Sequence, residues 1–227
     1  MAPRGSGTNK WTAVDNYFAT LLAPEDAVLH TTLEANSAAG LPAIDVSPLQ
    51  GKFLQILAQI TQARRILEIG TLGGYSTIWM ARALPPDGRI VTLEYNPAHA
   101  EVARGNLLRA GLLDRVDLRI GRALDLLPAL AEPGAQPFDL VFIDADKRSN
   151  PDYLDWAVRL SRPGTVIAVD NVVRNGSIVN EKSKDPDVIG IRRMTEQIAA
   201  HPRLSATVLQ TVGDKGYDGI ALAVVLP

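Results

Sequence analysis

The residues best equipped for chemistry stand in three short groups. Asp144-Ala145-Asp146-Lys147 follows the apolar run Leu140–Ile143, and Asp170-Asn171 follows Thr165–Val169. Two carboxylates and an amide, from Asp144, Asp170 and Asn171, form an all-oxygen donor set. Such a set suits a hard cation (Mg²⁺, Mn²⁺ or Ca²⁺) rather than zinc or copper. Lys147, three residues after Asp144, could reach a hydroxyl bound to that ion. The same aspartates would also serve as helix caps, and Lys147 as a surface lysine, so spacing alone leaves both readings open.

The third group is Glu68-Ile69-Gly70-Thr71-Leu72-Gly73-Gly74-Tyr75-Ser76. Its glycines permit a tight turn and let the backbone approach a ligand. Amides at the start of the following helix can hold a negative group. The pattern is G-x-x-G-G, not the dinucleotide G-x-G-x-x-G, and Glu68 places a carboxylate where a pyrophosphate would be repelled. A cofactor with a cationic amino-acid tail tolerates it. Glu94 ends the next apolar run, suitably placed to accept from both hydroxyls of a ribose. Together these signals favour S-adenosylmethionine over NAD.

The elements that must position these groups alternate along the chain. Strand-like runs occur at Arg65–Ile69, Arg89–Leu93, Val116–Ile120, Leu140–Ile143 and Thr165–Val169. Between them the spacing predicts helices over Tyr75–Leu84, Pro97–Ala110, Ala123–Ala131 and Pro151–Leu160. That order describes βαβ units and a parallel sheet covered on both faces. Ser47-Pro48, Asn96-Pro97, Asn150-Pro151 and Asp185-Pro186 each pair a capping side chain with proline at the first helical position. Gln50 would complete a capping box with Ser47, and Leu49, Phe53, Ile56, Leu57 and Ile60 would dock that helix on the sheet. Ser205–Thr211 and Ile220–Leu226 read as strands joined by the glycine-containing Val212–Gly219, too short for a crossover helix, and so as an antiparallel hairpin. The expected fold is α/β: a Rossmann-like, seven-stranded, mostly parallel sheet with a C-terminal antiparallel hairpin and an N-terminal helical extension. Residues 1–10 read as a disordered leader, and residues 11–227 as one domain.

Composition narrows the function. The chain has 227 residues and no cysteine, which excludes disulfides, thiolate metal sites and a cysteine nucleophile. Its three histidines, His30, His99 and His201, have no metal-ligand spacing and read as structural or surface residues. A formal charge of −2 argues against a broad nucleic-acid-binding face. There is no signal-peptide pattern and no apolar run of the ~18 residues a membrane span needs, so a cytoplasmic, membrane-free protein is expected.

Four blocks, taken in order, resemble the metal-dependent catechol and caffeoyl-CoA O-methyltransferase family in its bacterial branch. They are the run from Ser47 to Leu54, the loop from Leu67 to Ser76, the run from Phe142 to Lys147, and the segment Asp170-Asn171-Val172-Val173-Arg174-Asn175-Gly176. The resemblance implies that the Val46 backbone, Glu68, Gly70 and Ser76 hold the methionine part of S-adenosylmethionine, with Thr71 and Gly74 in the same loop, and that Glu94 holds the ribose. It implies that Ala123 borders the adenine and that Asp144 and Asp146 lie beside the cofactor. Asp144, Asp170 and Asn171 would bind Mg²⁺. Lys147 would be the base or hydroxyl-orienting group, catalytic together with Asp144, and Asn175 would touch the substrate. Arg174 stands where several members carry an aromatic residue, and could pair with an acidic substrate tail or be a solvated loop residue. The implied acceptor is a small catechol-like or phenolic molecule, and the implied assembly a homodimer. The alternatives are methylation of a hydroxylated RNA base, and a non-catalytic cofactor-binding protein on the same fold.

Overall fold

The computed structural model describes residues 7–227. Helices α1 (Gly7–Leu22), α2 (Ala27–Ala38) and α3 (Pro48–Ile60) precede the first strand. Then β1 (Arg65–Ile69), α4 (Tyr75–Ala81), β2 (Arg89–Glu94), α5 (Pro97–Arg109), β3 (Val116–Ile120), α6 (Ala123–Leu126) and β4 (Phe138–Ile143) alternate. The chain continues through α7 (Asn150–Arg159), β5 (Ser161–Asp170), α8 (Pro186–Ala200), β6 (Leu204–Gly213) and β7 (Gly216–Val225). One seven-stranded sheet has the order β3-β2-β1-β4-β5-β7-β6. The first five strands are parallel, and β7 runs antiparallel to both β5 and β6. The predicted sheet and closing hairpin are both present.

Alternating side chains send each central strand's residues to opposite faces. Leu67, Ile69, Val141 and Ile143 pack with Tyr153, Leu154, Ile191 and Met194 on one side. Ile66, Leu140, Phe142 and Ala168 pack with Leu54, Ile78 and Trp79 on the other. Burial on both faces is why β4 reads as an unbroken apolar run. Strand order reverses between β1 and β4, and parallel sheets open a crevice at such a point, beyond the carboxyl ends. Register does the rest. Ile69 lies opposite Ile143, and Ile143 opposite Val169, so the segments beginning at Gly70, Asp144 and Asp170 leave the sheet side by side.

Several expectations need correction. The first six residues of the expected leader lie outside the described residues, and from Gly7 the chain is helical in α1. Helix α3 presents Gly51, Leu54 and Ala58 to the core, leaving Ile56 and Ile60 exposed. The small residues win because α3 packs closely on α4: a Cβ on Gly51 would strike the Trp79 ring. Ser47 caps α3 as expected, its Oγ accepting from the Gln50 N–H at 3.2 Å. The Gln50 side chain, however, is near enough to Asp170 to oppose the upward shift of that carboxyl. Asn96 and Asp185 cap their helices, but Asn150 does not cap α7; it lies inside the helix, fully buried, its side-chain amide without a hydrogen-bond partner among the described residues. The Lys147–Ser149 3₁₀ turn feeds directly into the helix and shifts its start by one residue. After α6 the predicted helix tightens into a 3₁₀ segment over Leu127–Ala131, where Pro128 removes a donor. The hairpin strands are longer than predicted, meeting in the two-residue turn Asp214-Lys215 with Gly216 at φ +98°.

Candidate active site

A cleft of about 740 Å³ opens at the carboxyl ends of β1, β2 and β4. Its walls collect most of the residues the sequence singled out: Val46, Gly70, Thr71, Ser76, Glu94 and Ala123 on the cofactor side. Asp144, Asp146, Lys147, Asn171 and Arg174 stand on the same wall system. Glu68, Gly74, Asp170 and Asn175 do not line it.

The glycine-rich loop is held from beneath. Glu68 is fully buried, and its carboxylate accepts from the hydroxyls of Ser76 at 2.6 Å, Thr92 at 2.6 Å and Thr77. Burial raises its pKa to about 7, against the three hydroxyl bonds and with a smaller push from Asp144. Glu68 thus supports the loop from below rather than facing the cleft. Gly70, at φ +101°, sits where Asp144 N–H donates to the Ile69 carbonyl at 2.9 Å. A Cβ there would run into the Asp144 carbonyl oxygen, so only glycine allows the β1 and β4 ends to close up. Gly73 is equally constrained by the Asn36 side chain, whose Oδ1 accepts from Asn106 at 2.9 Å.

Glu94 reaches across to the same loop. Its Oε2 accepts from the N–H groups of Thr71 and Leu72 at 3.2 and 2.8 Å, and its Oε1 from that of Asn96 at 2.9 Å. One carboxylate therefore ties the second strand end to the first. His99 Nδ1 stands 3.6 Å from Glu94 Oε1 and lines the cleft, a placement the reading of His99 as structural or surface missed. The available signal was its position on the first turn of α5, directly after Glu94.

The other side of the cleft is densely charged. Lys147 is buried, and its Nζ donates to Asp144 Oδ1 at 2.6 Å. Asp170 is also buried, and its Oδ1 accepts from the Asn171 N–H at 2.8 Å. Burial pushes the Asp170 carboxyl up, and the Asp144 charge adds to that, while Lys147, the Asn171 N–H and Gln50 oppose it. Asp146 accepts from Tyr153 Oη at 2.6 Å and from Ser149 Oγ, which turns it along the cleft rim. Asn171, Arg174 and Asn175 all adopt left-handed backbone, at φ +57°, +53° and +52°. Asp218 holds this strained loop from β7, accepting from the N–H groups of Val173, Arg174 and Gly219. Asp218, Tyr153, Gln50, Arg148 and Asp187 were not visible as site residues in the sequence, because each acts across elements distant in the chain.

No group of three His, Cys, Asp or Glu side chains able to hold a metal occurs among the described residues. The expected donor set never contained three, since its third member is the Asn171 amide. A buried carboxylate, Asp170, and a half-buried one, Asp144, within each other's field and answered by one ammonium, fit a further cation of hard character. A cleft built from glycine backbone, with a carboxylate on its second strand end, fits a nucleoside-bearing cofactor.

Comparisons with known proteins identify the family. A family model described as O-methyltransferase matches residues 21–225. The catechol O-methyltransferase of Niastella koreensis is 56% identical over 213 residues, 94% of this chain and 96% of the relative. That of Mycobacterium tuberculosis is 57% identical over 212 residues, 93% and 94% of the two chains. The O-methyltransferase from Bacillus cereus, solved in complex with SAH, superposes with a TM-score of 0.94 at 60% identity, covering 96% of this chain and 99% of that one. TomG from Streptomyces achromogenes, an O-methyltransferase involved in tomaymycin synthesis solved with SAM, gives 0.95 at 50% identity, covering 98% and 100%. With nearly its whole length matched by the family model and by these relatives, the chain belongs to the O-methyltransferase family.

Proposed function

We propose that this enzyme transfers the methyl group of S-adenosylmethionine to one hydroxyl of a small catechol-like acceptor, with a divalent metal ion at Asp144, Asp170 and Asn171. The observation that carries the reading is the single cleft shared by the Gly70 loop, Glu94, Asp144 and Lys147. The resemblance to catechol O-methyltransferases supports the acceptor class. Residues 11–227 would act as one domain.

The cofactor's methionine part would lie on the Gly70–Ser76 loop and the Val46 backbone, its ribose against Glu94 and its adenine beside Ala123. Asp146 would border it. Mg²⁺, or Mn²⁺ or Ca²⁺ in its place, supplies Lewis acidity that lowers the pKa of a diol hydroxyl. The chain's own residues do the remaining work. Lys147 Nζ, hydrogen-bonded to Asp144 Oδ1, is positioned to take or steer the hydroxyl proton. The Glu94 clamp on Thr71 and Leu72 holds the loop so that the donor methyl and the acceptor oxygen meet in line. Arg174, on the cleft wall, would flank the acceptor, with Asn175 next to it in the loop but off the cleft lining.

Transfer of labelled methyl from S-adenosylmethionine to catechol, with and without a chelator, tests the proposal. Methylation abolished by EDTA and restored by Mg²⁺ is the expected result. Full activity in EDTA would remove the metal from the mechanism, and the absence of any diol turnover would overturn the acceptor class.

A further inference from the structure

The rim of the cleft beyond Lys147 carries more positive charge than its local partners use. Arg148 follows Lys147 in the Lys147–Ser149 turn, and Arg174 stands on the strained loop after β5. Both face Asp187, in the first turn of α8. Arg148 Nε lies 3.9 Å from Asp187 Oδ1, and Arg174 Nη2 lies 3.7 Å from Asp187 Oδ2. Those distances make ion pairs but not hydrogen bonds, and among the described residues neither guanidinium donates one elsewhere. Two planar forks, each built for bidentate grip on a carboxylate, thus share one carboxylate without closing on it. All three side chains line the same cleft as Asp144 and Lys147.

The arrangement is held in place by backbone. Gly190 of α8 has no room for a Cβ, which would meet the Lys147 carbonyl oxygen and come within 2.7 Å of Arg148 Cα. The start of α8 is therefore seated directly on the turn carrying both Lys147 and Arg148. Arg174 is fixed from the other side, where Asp218 accepts from its N–H at 3.0 Å and keeps it at φ +53°. A left-handed arginine costs backbone energy, and the surrounding bonds compel it. Both guanidiniums consequently gather at Asp187 on the cleft wall, and Arg148 is the residue next to Lys147.

From this geometry we infer that Arg148 and Arg174 form an anion clamp for the acceptor, selecting catechols that carry a carboxylate on the ring or on a short side chain. The inference rests on the acceptor reading given above and adds the charge of the substrate. Asp187, within 3.9 Å of one guanidinium and 3.7 Å of the other, offsets the repulsion between them in the absence of that carboxylate.

The test compares 3,4-dihydroxybenzoate with its primary amide and with 3,4-dihydroxybenzylamine. Carboxylate and amide tune the ring hydroxyls differently, so the readout is the acid-to-amide ratio of kcat/KM in each variant relative to wild type. Arg174→Gln and Arg148→Gln should each lower that ratio roughly tenfold, the size of one charge-assisted hydrogen bond. Arg174→Glu should lower it further and raise turnover of the benzylamine. Ratios within about twofold of wild type in both single variants and in the double variant would overturn the clamp, because one such bond is worth more than that. If wild type methylates none of the three diols, the catechol reading itself fails and the clamp falls with it.

Discussion

The two ends of β4 carry aspartates with different kinds of partner. Asp139, near its start, accepts from the N–H groups of Arg64 and Arg65 at 2.8 and 3.0 Å and from the Arg162 guanidinium at 3.1 Å. Burial alone would raise its pKa, but these donors outweigh burial and hold the carboxyl below its ordinary value. At the far end, Asp144 has Lys147 for a partner, and its neighbour Asp170 is pushed upward by burial and by the Asp144 charge itself. Glu68, one strand away, is raised to about 7. The start of β4 thus holds a carboxylate answered by several protein donors, whereas at the carboxyl ends of β4 and β5 Asp144 and Asp170 share one ammonium, Lys147. The amino end staples strands together, whereas the carboxyl end sets Asp144 and Lys147 on the cleft wall, with Asp170 and Glu68 buried off its lining. Perturbed titration in a crevice is where binding and catalysis concentrate.

Substitutions that exchange the behaviour of the two ends would break this comparison. The largest effect is expected for Asp144→Ala, which removes the partner of Lys147 and one of two mutually repelling carboxylates. Methyl transfer should fall by about 10²–10⁴-fold, the usual range for loss of acid–base machinery. The unfolding midpoint in denaturant should hold or rise, and a large fall would make Asp144 a structural residue. Asp139→Ala should do the reverse. It strands two backbone N–H groups and costs about 3 kcal/mol, read from the shift in urea midpoint, while the folded fraction keeps its specific activity. Unchanged stability there would dissolve the contrast.

The smallest effect sharpens the comparison through pH. Glu68 has its folded pKa near 7, above the 4.5 of a free carboxyl. A group raised in this way contributes stability that is complete below about pH 4.5 and is lost as the pH climbs through about 7. Glu68→Gln, which cannot ionise, should flatten the decline of unfolding free energy with pH across that window. An identical slope in the variant would mean that Glu68 titrates normally in the folded protein.

Much of this was readable in the chain. Apolar or β-branched runs bounded by Gly, Pro and charge located all seven strands; the central β1 and β4, buried on both faces, admit few polar side chains, whereas the exposed edge strands β3 and β6 carry polar ones. The G-x-x-G-G loop, Glu94 and the Asp144–Lys147 group were legible because each is a local pattern at a strand end. Missed contacts were those made by residues with ordinary local signatures. Asn150-Pro151 looks like a cap, but the preceding 3₁₀ turn already occupies that position. Gln50 looks like half of a capping box, but its amide faces Asp170 from another element. The apolar stripe of α3 held at Leu49, Phe53 and Leu57, which pack against the core, but misled at Ile56 and Ile60, because close packing on Trp79 is made by the small Gly51.

Periodicity and turn chemistry, which depend on near neighbours, set the order of strands and helices and the clustering of carboxylates and glycines at the carboxyl ends, and four motif blocks carried the resemblance to a methyl-transferring family. Which charges answer which was fixed by the folded arrangement alone. It set Glu68 beneath the loop instead of in the cleft, brought His99 beside Glu94, and faced Arg148 and Arg174 across Asp187. The reason is that electrostatic partnership depends on separation in space, and sheet register fixes that separation between residues far apart in the chain.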